Sequence, residues 1–324
     1  MPADSRSSKN LSMLWESLPN FAGSLDHESS RLPISYLELS RPTGKYIARI
    51  WLSAVNFFFK KGFIRVVGNT CVPGLLWPEL SPINGMKQFE KSASACGALV
   101  VNVKNHLPYR DAVSFVAEPY MVFKVRPEWN NLGDALQAMS SKYRVRNQKV
   151  LKSTPDLEWR ELQDLPTAEW LSTCGLFLQR TLSERTVAMT GNLNELLWQY
   201  HRILKDDFKV RGYYLNQKLV GFVSYVIEGS EWHAIHMGLD PTVAESQPLY
   251  QRIFLDLIDS AVASGAQRLY MGRTATEIKS SMGAEAIDNQ FLVFVKYPWL
   301  RFLTRLYQRW IYQSPPYTLR RPFK

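Results

Sequence analysis

Residues 208–273 hold the pattern that constrains the fold most. Two strand-like segments, "FKVRGYYLNQ" and "KLVGFVSYVIEG", meet at Asn216 and Gln217, and a third, "EWHAIHMGLD", follows them. Next comes "PLYQRIFLDLIDSAVASGA", where apolar residues such as Leu249 and Ile253 recur at helical spacing. A hairpin, a third strand and a long helix in this order predict a mixed α and β unit.

Signals at both ends support the long helix. Ser246 or Glu245 can cap its start, Pro248 suits its first turn, and Gly265 can end it. Beyond it, "QRLYMGR" predicts a short strand, "TATEIKSSMG" a short helix closed by Gly283, and "NQFLVFVKY" a last strand.

The upstream part also mixes strands and helices. Strands are predicted for "KYIARIWL", "GFIRVVGN", "ALVVNV" and "YMVFKVR". Helices are predicted over Glu169–Thr181 and Asn194–Lys205, and "STPDLEWRELQDLPTAEW" predicts a linker. No internal repeat is visible. The order of these elements predicts two mixed segments joined by a basic helix.

That basic helix is predicted over "NNLGDALQAMSSKYRVRNQKVLKS", as one continuous element. Its second half is strongly basic and includes Lys142, Arg144 and Arg146. Such a run is either a solvated face with favourable charges near the helix C-terminus or a site for an anionic substrate.

The composition excludes several protein classes. With 324 residues, of which 46% are hydrophobic, the chain can bury a core without disulfides. Cys71, Cys96 and Cys174 are far apart and form no Cys-x-x-Cys pair, which argues against a disulfide framework and a metal site. The first residues lack the apolar core of a signal peptide, and no run reaches the length of a spanning helix. We therefore expect a cytoplasmic protein, free or peripheral at the inner face of the membrane.

The net charge of +10 is unevenly distributed. From Asn289 onward the chain has no acidic residue and seven basic ones: Lys296, Arg301, Arg305, Arg309, Arg320, Arg321 and Lys324. In this part, "YPWLRFLTRLYQRWIY" has helical periodicity. One side of that helix carries Trp299, Phe302, Leu303, Leu306 and Trp310; the other carries Arg301 and Arg305, with Arg309 at the border. The helix is either packed on its own domain or in contact with an anionic membrane surface.

Taken in order, the segments resemble the GNAT N-acyltransferase fold, in the branch of FemAB-type peptidoglycan aminoacyltransferases and BioF2-like acetyltransferase domains. The resemblance covers roughly residues 40 to 296 and rests on "GFIRVVGNTCVPG", "LQAMSSKYRVRNQKVLK", "GYYLNQKLVGFVSYVIEG", "HMGLDP", "PLYQRIFLDLIDSAVASGAQRLYMGRT" and "EIKSSMGAE". It implies an α+β fold with a degenerate first GNAT-like half and a complete second half. We place the lead at 1–34, the halves at 35–155 and 156–298, and a basic amphipathic segment at 299–324.

One segment departs from the acetyl-CoA users of this superfamily. They carry a Gly-rich loop before the long helix, because exposed backbone N–H groups at a helix N-terminus bind the pyrophosphate. Here the position reads "TVAESQPLYQR", without glycine and with Glu245. The departure argues against free acetyl-CoA and leaves longer acyl-CoA, acyl carrier protein or aminoacyl-tRNA as donors.

The chemistry that the resemblance implies is attack of an amine on a thioester or ester carbonyl. His233 and His236, three apart on a strand, are expected to face opposite sides, and His236 is either the general base or a structural hydrogen-bonder. Tyr250 is either a core residue or the proton donor. Asp240 either caps the following loop or orients the acceptor amine.

The segment "MGRTATEIKSSMGAE" supplies further candidates. Arg273 and Thr274 stand at a strand end, with Glu277 and Lys279 on the following turn. Arginine has a rigid fork that suits phosphate or carboxylate, so Arg273 either clamps substrate or pairs with Glu277. Glu277 is otherwise a candidate base, and we assign Thr274 and Lys279 to substrate binding.

These observations predict an N-acyltransferase that moves an acyl group to the amine of a lipid or a cell-envelope precursor. Acyl-CoA or acyl carrier protein is expected as co-substrate, with no permanently bound cofactor. We prefer this reading to an aminoacyl-tRNA-dependent transferase, because no coiled-coil insertion for tRNA is visible, and to a non-catalytic GNAT-fold binding protein. No known recognition module supports DNA binding.

Overall fold

The computed structural model describes residues 112–162, 167–183, 193–310, 312 and 316–323, with residue 13 and the backbone of three earlier strands. The predicted strand "KYIARIWL", Cys71 and Cys96 lie outside the described residues.

The described strands form one sheet. They are β1 Ile34–Ser35, β2 Ile64–Val67, β3 Gly97–Val103, β4 Ala112–Lys124, β5 Glu158–Glu161, β6 Phe208–Leu215, β7 Lys218–Glu228, β8 Glu231–Leu239, β9 Arg268–Tyr270 and β10 Glu285–Val295. Their order across the sheet is β1-β2-β3-β10-β4-β9-β8-β7-β6-β5. Pairs β2–β3 and β8–β9 are parallel, and the other pairs are antiparallel. Because β10 lies between β3 and β4, the two predicted halves share this sheet.

The described helices are α1 Leu132–Ala138, α2 Ser141–Ser153, α3 Thr167–Ser183, α4 Leu193–Leu204, α5 Pro241–Ala244, α6 Leu249–Ala263, α7 Thr276–Ser281 and α8 Pro298–Trp310. Two apolar clusters hold them on the sheet. The first contains the inner stripe of α6 with residues of α1, β7 and β9. The second joins α3 and α4 to β6 and β7. These clusters give the α+β layers predicted from the patterns.

The hairpin between β6 and β7 turns where the sequence predicts. Asn216 and Gln217 both have positive φ, 50° and 63°, which a two-residue turn between twisted strands requires. The prediction is confirmed because this signal is local.

The predicted linker before α3 instead contains the edge strand β5, which pairs with β6. Its sequence "EWRE" has no apolar alternation, so strand patterning missed it. Its side chains enclose Arg211: Glu161 accepts from the guanidinium at 3.2 Å, and the ring of Trp159 stacks 3.7 Å from it. Arg211 also donates to Ser260 of α6 and Tyr225 of β7, so one buried cation ties β5, β6, β7 and α6 together.

The predicted basic helix is interrupted. Met139 has extended backbone angles and forms a β-bridge with Phe323, while the N–H of Ser140 donates to the carbonyl of Pro322 at 2.8 Å. The chain thus divides into α1 and α2 where residues 316–323, here called the return segment, dock against it. Helical periodicity cannot detect these partners, because Pro322 lies 182 residues after Ser140 and Phe323 lies 184 after Met139.

The return segment ends in an aromatic contact. The ring of Phe323 lies 6.1 Å from Phe123 and 5.5 Å from Trp129, with the guanidinium of Arg126 5.2 Å from its centre. Gly283, at φ +104°, faces the same ring, and a β-carbon there would come within 2.5 Å of it. The absence of a side chain at this position therefore makes room for Phe323.

A β-bulge in β8 changes the orientation of the histidines. His236 pairs with Ser224 and Ala234 with Tyr225, so Ile235 is the extra residue. Trp232 and Ala234 belong to the α6 side, which places His233 on the other side, where its ring stacks on Tyr270 at 4.5 Å. His236 contacts Tyr200 of α4 on that same side. The prediction that the two histidines face opposite sides is wrong, because a bulge breaks the strand's period of two.

We expect Gly283→Ala to lose more stability than Gly265→Ala. Both positions have positive φ, so alanine costs about 1–2 kcal/mol of backbone strain at each. A β-carbon meets nothing within 4 Å at Gly265 but collides with Phe323 at Gly283, which adds about 1–3 kcal/mol. Urea unfolding measures both variants, and equal losses would show that Phe323 does not dock on residue 283.

The free energy of unfolding should decrease at acidic pH, because the buried imidazole of His236 resists protonation. Burial lowers the pKa of its imidazole from 6.5 to about 4, so the folded state excludes a proton that the unfolded state binds. This contribution is therefore complete above pH 6.5 and is lost as the pH falls towards 4, by on the order of 3 kcal/mol. The difference in unfolding free energy between the parent and His236→Gln should shrink over this window. His201→Gln, which removes another histidine, serves as the control, and a parallel pH profile for all three proteins would contradict the assignment.

Candidate active site

A wedge opens in the middle of the sheet, between β8 and β9. These strands pair only from Glu231 with Arg268 to His233 with Tyr270. β9 also pairs with β4, and beyond Tyr270 only the bonds to β4 continue: the N–H of Met271 donates to the carbonyl of Met121 at 2.8 Å, and the N–H of Met121 donates to the carbonyl of Gly272 at 3.0 Å. Among the strands that the structure describes, none pairs with the rest of β8 on this edge, and the two parallel strands diverge.

Lys279 of α7 is buried next to this opening. Its side chain is 2% exposed, and its ammonium lies 5.4 Å from the ring centre of Phe254 in α6. A β-carbon at Gly272 would come 3.7 Å from the same ammonium. The cation thus lies between α6, α7 and the turn that follows β9, in a setting where charge interactions are stronger than in water.

The turn that carries the site has an unusual backbone. Gly272 and Ala275 have positive φ, 77° and 56°, and Ala275 is the residue immediately before α7. Alanine pays about 1–2 kcal/mol for left-handed geometry, and such strain concentrates at functional sites. The turn leads directly into α7, the helix that carries Lys279.

The two candidates directly after Gly272 share this turn. Arg273 is exposed, with its guanidinium 5.8 Å from the ring of Tyr120, and Thr274 is half-buried. Tyr250 is half-buried in the first turn of α6, and its ring meets Phe254 edge-on at 5.1 Å. The structure therefore brings the neighbourhoods of Lys279 and Tyr250 together through Phe254.

Glu277 points away from this group. Its carboxylate accepts two hydrogen bonds from Arg320 of the return segment, the shorter at 2.5 Å, and the N–H of Arg320 donates to Ser280. Of the two alternatives for Arg273, the ion pair with Glu277 is not formed, because Arg320, 43 positions along the chain, pairs with that carboxylate. The hydrogen bond from Arg320 lowers the pKa of Glu277, which does not favour its predicted role as a base.

The basic residues of α2 lie close to that ion pair. Lys142 and Arg146 are exposed and Arg144 is half-buried. The positive charge of Arg146 contributes to the lowered pKa of Glu277, so α2 and the return segment present their cations to solvent side by side.

His236 and Asp240 have other contacts. The buried ring of His236 packs edge-on against Tyr200, and its Nδ1 lies 3.3 Å from the hydroxyl of Ser224. With a lowered pKa and a side chain that is buried, it matches the structural alternative better than the catalytic one. Asp240 caps α5 by accepting from the N–H of Thr242 at 3.1 Å and also accepts from Lys218.

The segment in place of a pyrophosphate loop has its backbone N–H groups occupied. Six of them, at residues 243–247 and 249, donate to carbonyls inside the same turn, and Pro248 has none. A pyrophosphate cradle needs N–H groups that point outward. The geometry therefore agrees with the sequence-based argument against free acetyl-CoA as donor.

The residues predicted for membrane contact lie on α8. Trp299, Phe302, Arg305 and Trp310 are exposed, whereas Arg301 is half-buried and donates to the carbonyl of Val295 at 3.4 Å. Within the part of the chain that the structure describes, no helix is both long and apolar enough to cross a bilayer. The same residues hold no group of side chains suited to a metal ion.

Sequence reasoning missed Phe254, Gly272 and Ala275. Gly272 has one sequence signal, a glycine directly after a short strand. Phe254 lies beside the predicted helix stripe, and nothing in the sequence marks Ala275. Only the folded structure brings Phe254 of α6 and Gly272 of the turn after β9 to Lys279.

Comparisons in sequence identify no relative: no protein-family model matches the chain, and no curated protein matches it. Comparison with solved structures finds L-PGS from Bacillus licheniformis at 10% identity and a TM-score of 0.51, covering 95% of this chain and 97% of that one.

Two further structures are more distant. FemX matches at 10% identity and a TM-score of 0.46, covering 86% of each chain. A tandem GNAT protein from the clavulanic acid biosynthesis pathway matches at 10% identity and a TM-score of 0.43, covering 73% of this chain and 76% of that one. At such identities a likeness concerns the fold alone. The chain has an α+β GNAT fold, with a wedge between two parallel strands and a long helix beside it.

Proposed function

We propose that this protein is an N-acyltransferase whose reaction takes place in the wedge between β8 and β9. The observation that carries the proposal is the ammonium of Lys279, buried beside Gly272 where the strands part. Acyl transfer builds negative charge on a carbonyl oxygen, and a fixed cation with little access to water stabilises such charge strongly.

The proposed reaction is a single displacement at a carbonyl. The amine nitrogen attacks the acyl carbon, an amide C–N bond forms, and the C–S bond of the thioester breaks. Lys279 stabilises the oxyanion, and Tyr250, at the start of α6, gives a proton to the leaving thiolate and recovers one from the attacking amine. Arg273 and Thr274 hold the substrate at the mouth of the wedge.

The donor is proposed to be a thioester on CoA with a long acyl chain or on acyl carrier protein. Support for acyl carrier protein comes from the occupied N–H groups before α6, which leave no cradle there for the pyrophosphate that every CoA thioester carries. A long-chain acyl-CoA would have to be held through other contacts. The proposed acceptor is an amine of a lipid or cell-envelope precursor at the inner face of the membrane. That choice rests on the resemblance to the FemAB-like and BioF2-like branch.

The first test replaces the cation. Lys279→Met should lower kcat/KM at least about 100-fold, because the oxyanion loses its partner. The fold should persist, since methionine fills a similar volume without a buried charge. The assay supplies palmitoyl-CoA or palmitoyl acyl carrier protein with ethanolamine, lysine or sphinganine and measures the amide by mass spectrometry.

Lys124→Met, which removes a 59% exposed lysine, is the matched control and should stay within about two-fold of the parent. Full activity in Lys279→Met would contradict the assignment of the reaction to the wedge. If the parent transfers no acyl group from any donor but still binds one, the protein is a GNAT-fold binding protein instead.

A second candidate is an aminoacyl-tRNA-dependent transferase. One observation favours it: the start of α2 lies beside the return segment, and both carry exposed cations. These are Lys142, Arg146, Lys149 and Lys152 on α2, and Arg320 and Arg321 on the return segment. Such a surface suits a phosphate backbone.

If tRNA is the carrier, Lys142→Gln with Arg146→Gln should weaken its binding and reduce the slope of log K against log salt by about 2. Arg180→Gln with Arg202→Gln, two exposed arginines on α3 and α4, should leave the slope unchanged. Measurement is by fluorescence anisotropy with labelled tRNA over a range of salt. Failure of the parent to bind tRNA would remove this candidate and leave the thioester donors.

A further inference from the structure

Helix α8 packs on the body with its more polar side. Gln308 donates to the carbonyl of Ser114 in β4, and Arg301 donates to the carbonyl of Val295 in β10. Tyr307 faces Phe115 across 6.3 Å. Just beyond the helix, the hydroxyl of Tyr312 donates to the carbonyl of Val116. These bonds fix the rotation of the helix about its axis.

The opposite side of α8 is apolar and exposed. We call it the outer face, and it comprises Trp299, Phe302, Leu303, Leu306 and Trp310. Its two tryptophans and its phenylalanine are 62%, 74% and 61% exposed. An amphipathic helix on a globular protein normally turns its apolar stripe inward, so this orientation is the reverse of the usual one. Contiguous exposed apolar surface of this kind marks an interaction site.

Cations border the outer face. Arg305 and Arg309 are exposed and one helical turn apart, in a row beside Phe302, and Lys296 is exposed just before the helix. The guanidinium of Arg309 lies 5.6 Å from the ring of Trp310. From Asn289 to Lys324 the sequence has no acid to neutralise them.

We propose that the outer face of α8 docks this protein on an anionic lipid surface, with the helix lying in the interface. Tryptophans near both ends, about 16 Å apart along the axis, suit the headgroup level, where a ring is half apolar and half wet. The row of arginines reaches the lipid phosphates from the edge of the apolar face. The helix has 13 residues and is too short to span a bilayer.

Charge decides between a lipid surface and a second copy of this chain. Two copies that met through their outer faces would place Arg305, Arg309 and Lys296 against the same cations. Like charges at close range oppose association, whereas an anionic surface complements them. The inference rests on α8 alone and not on the proposed transfer reaction, because binding is measured without donor or acceptor.

The test is flotation of the purified full chain with vesicles of phosphatidylcholine alone or with one quarter phosphatidylglycerol. We expect at least about ten-fold tighter binding to the anionic vesicles, falling as salt rises. Trp299→Ser with Trp310→Ser should weaken that binding at least about ten-fold. Arg305→Glu should abolish most of the preference for anionic lipid.

Two controls match these changes. Val145→Ser with Leu176→Ser removes apolar residues that are 58% and 52% exposed on other helices, and Arg202→Glu makes the same charge change on α4. Both should bind like the parent, and thermal unfolding should confirm that all variants are folded. Equal binding to both vesicle types, or unchanged binding by the tryptophan variant, would overturn the proposal. So would light scattering that shows a dimer which the tryptophan variant dissociates.

Discussion

The separation of β8 from β9 follows from a change in the backbone hydrogen bonds of one short strand. From Arg268 to Tyr270, β9 pairs with both β4 and β8, whereas Met271 and Gly272 bond to Met121 of β4 and have no ladder partner in β8. β8 is thereby left without β9 over its second part. The wedge opens at this point. The turn that follows β9 includes the strained residue Ala275 and leads into α7, where Lys279 is buried beside Gly272.

The return segment provides a second long-range constraint. Phe323 fills the space left by Gly283, and the backbone of Pro322 takes up the N–H of Ser140, which separates α1 from α2. Arg320 then pairs with Glu277 on the outer side of α7. The two charged residues of α7 are thus kept apart: Lys279 is buried beside Phe254 and Gly272, while Glu277 is held at the surface in an ion pair.

Predictions from the sequence were right where the signal is local. The turn at Asn216 and Gln217, the long helix before Gly265 and the short helix before Gly283 follow from spacing and turn chemistry, and the structure has them. They were wrong where a distant contact overrides the pattern. The bulge at Ile235 reverses the expected orientation of one histidine, and β5 forms from four polar or aromatic residues because β6 offers an edge.

The candidate site divides in the same way. Residue types and their order were enough to place Arg273, Thr274 and Lys279 at a junction between a strand and a helix. The ends of strands and helices depend on the preferences of neighbouring residues, which the sequence shows directly. They were also enough to give α8 an apolar and a basic side. Which side of α8 faces water was decided by its bonds to Ser114 and Val295, and the depth of Lys279 by Phe254 and Gly272. Periodicity describes a helix relative to itself, and only the packed sheet supplies the surface against which one of its sides is buried.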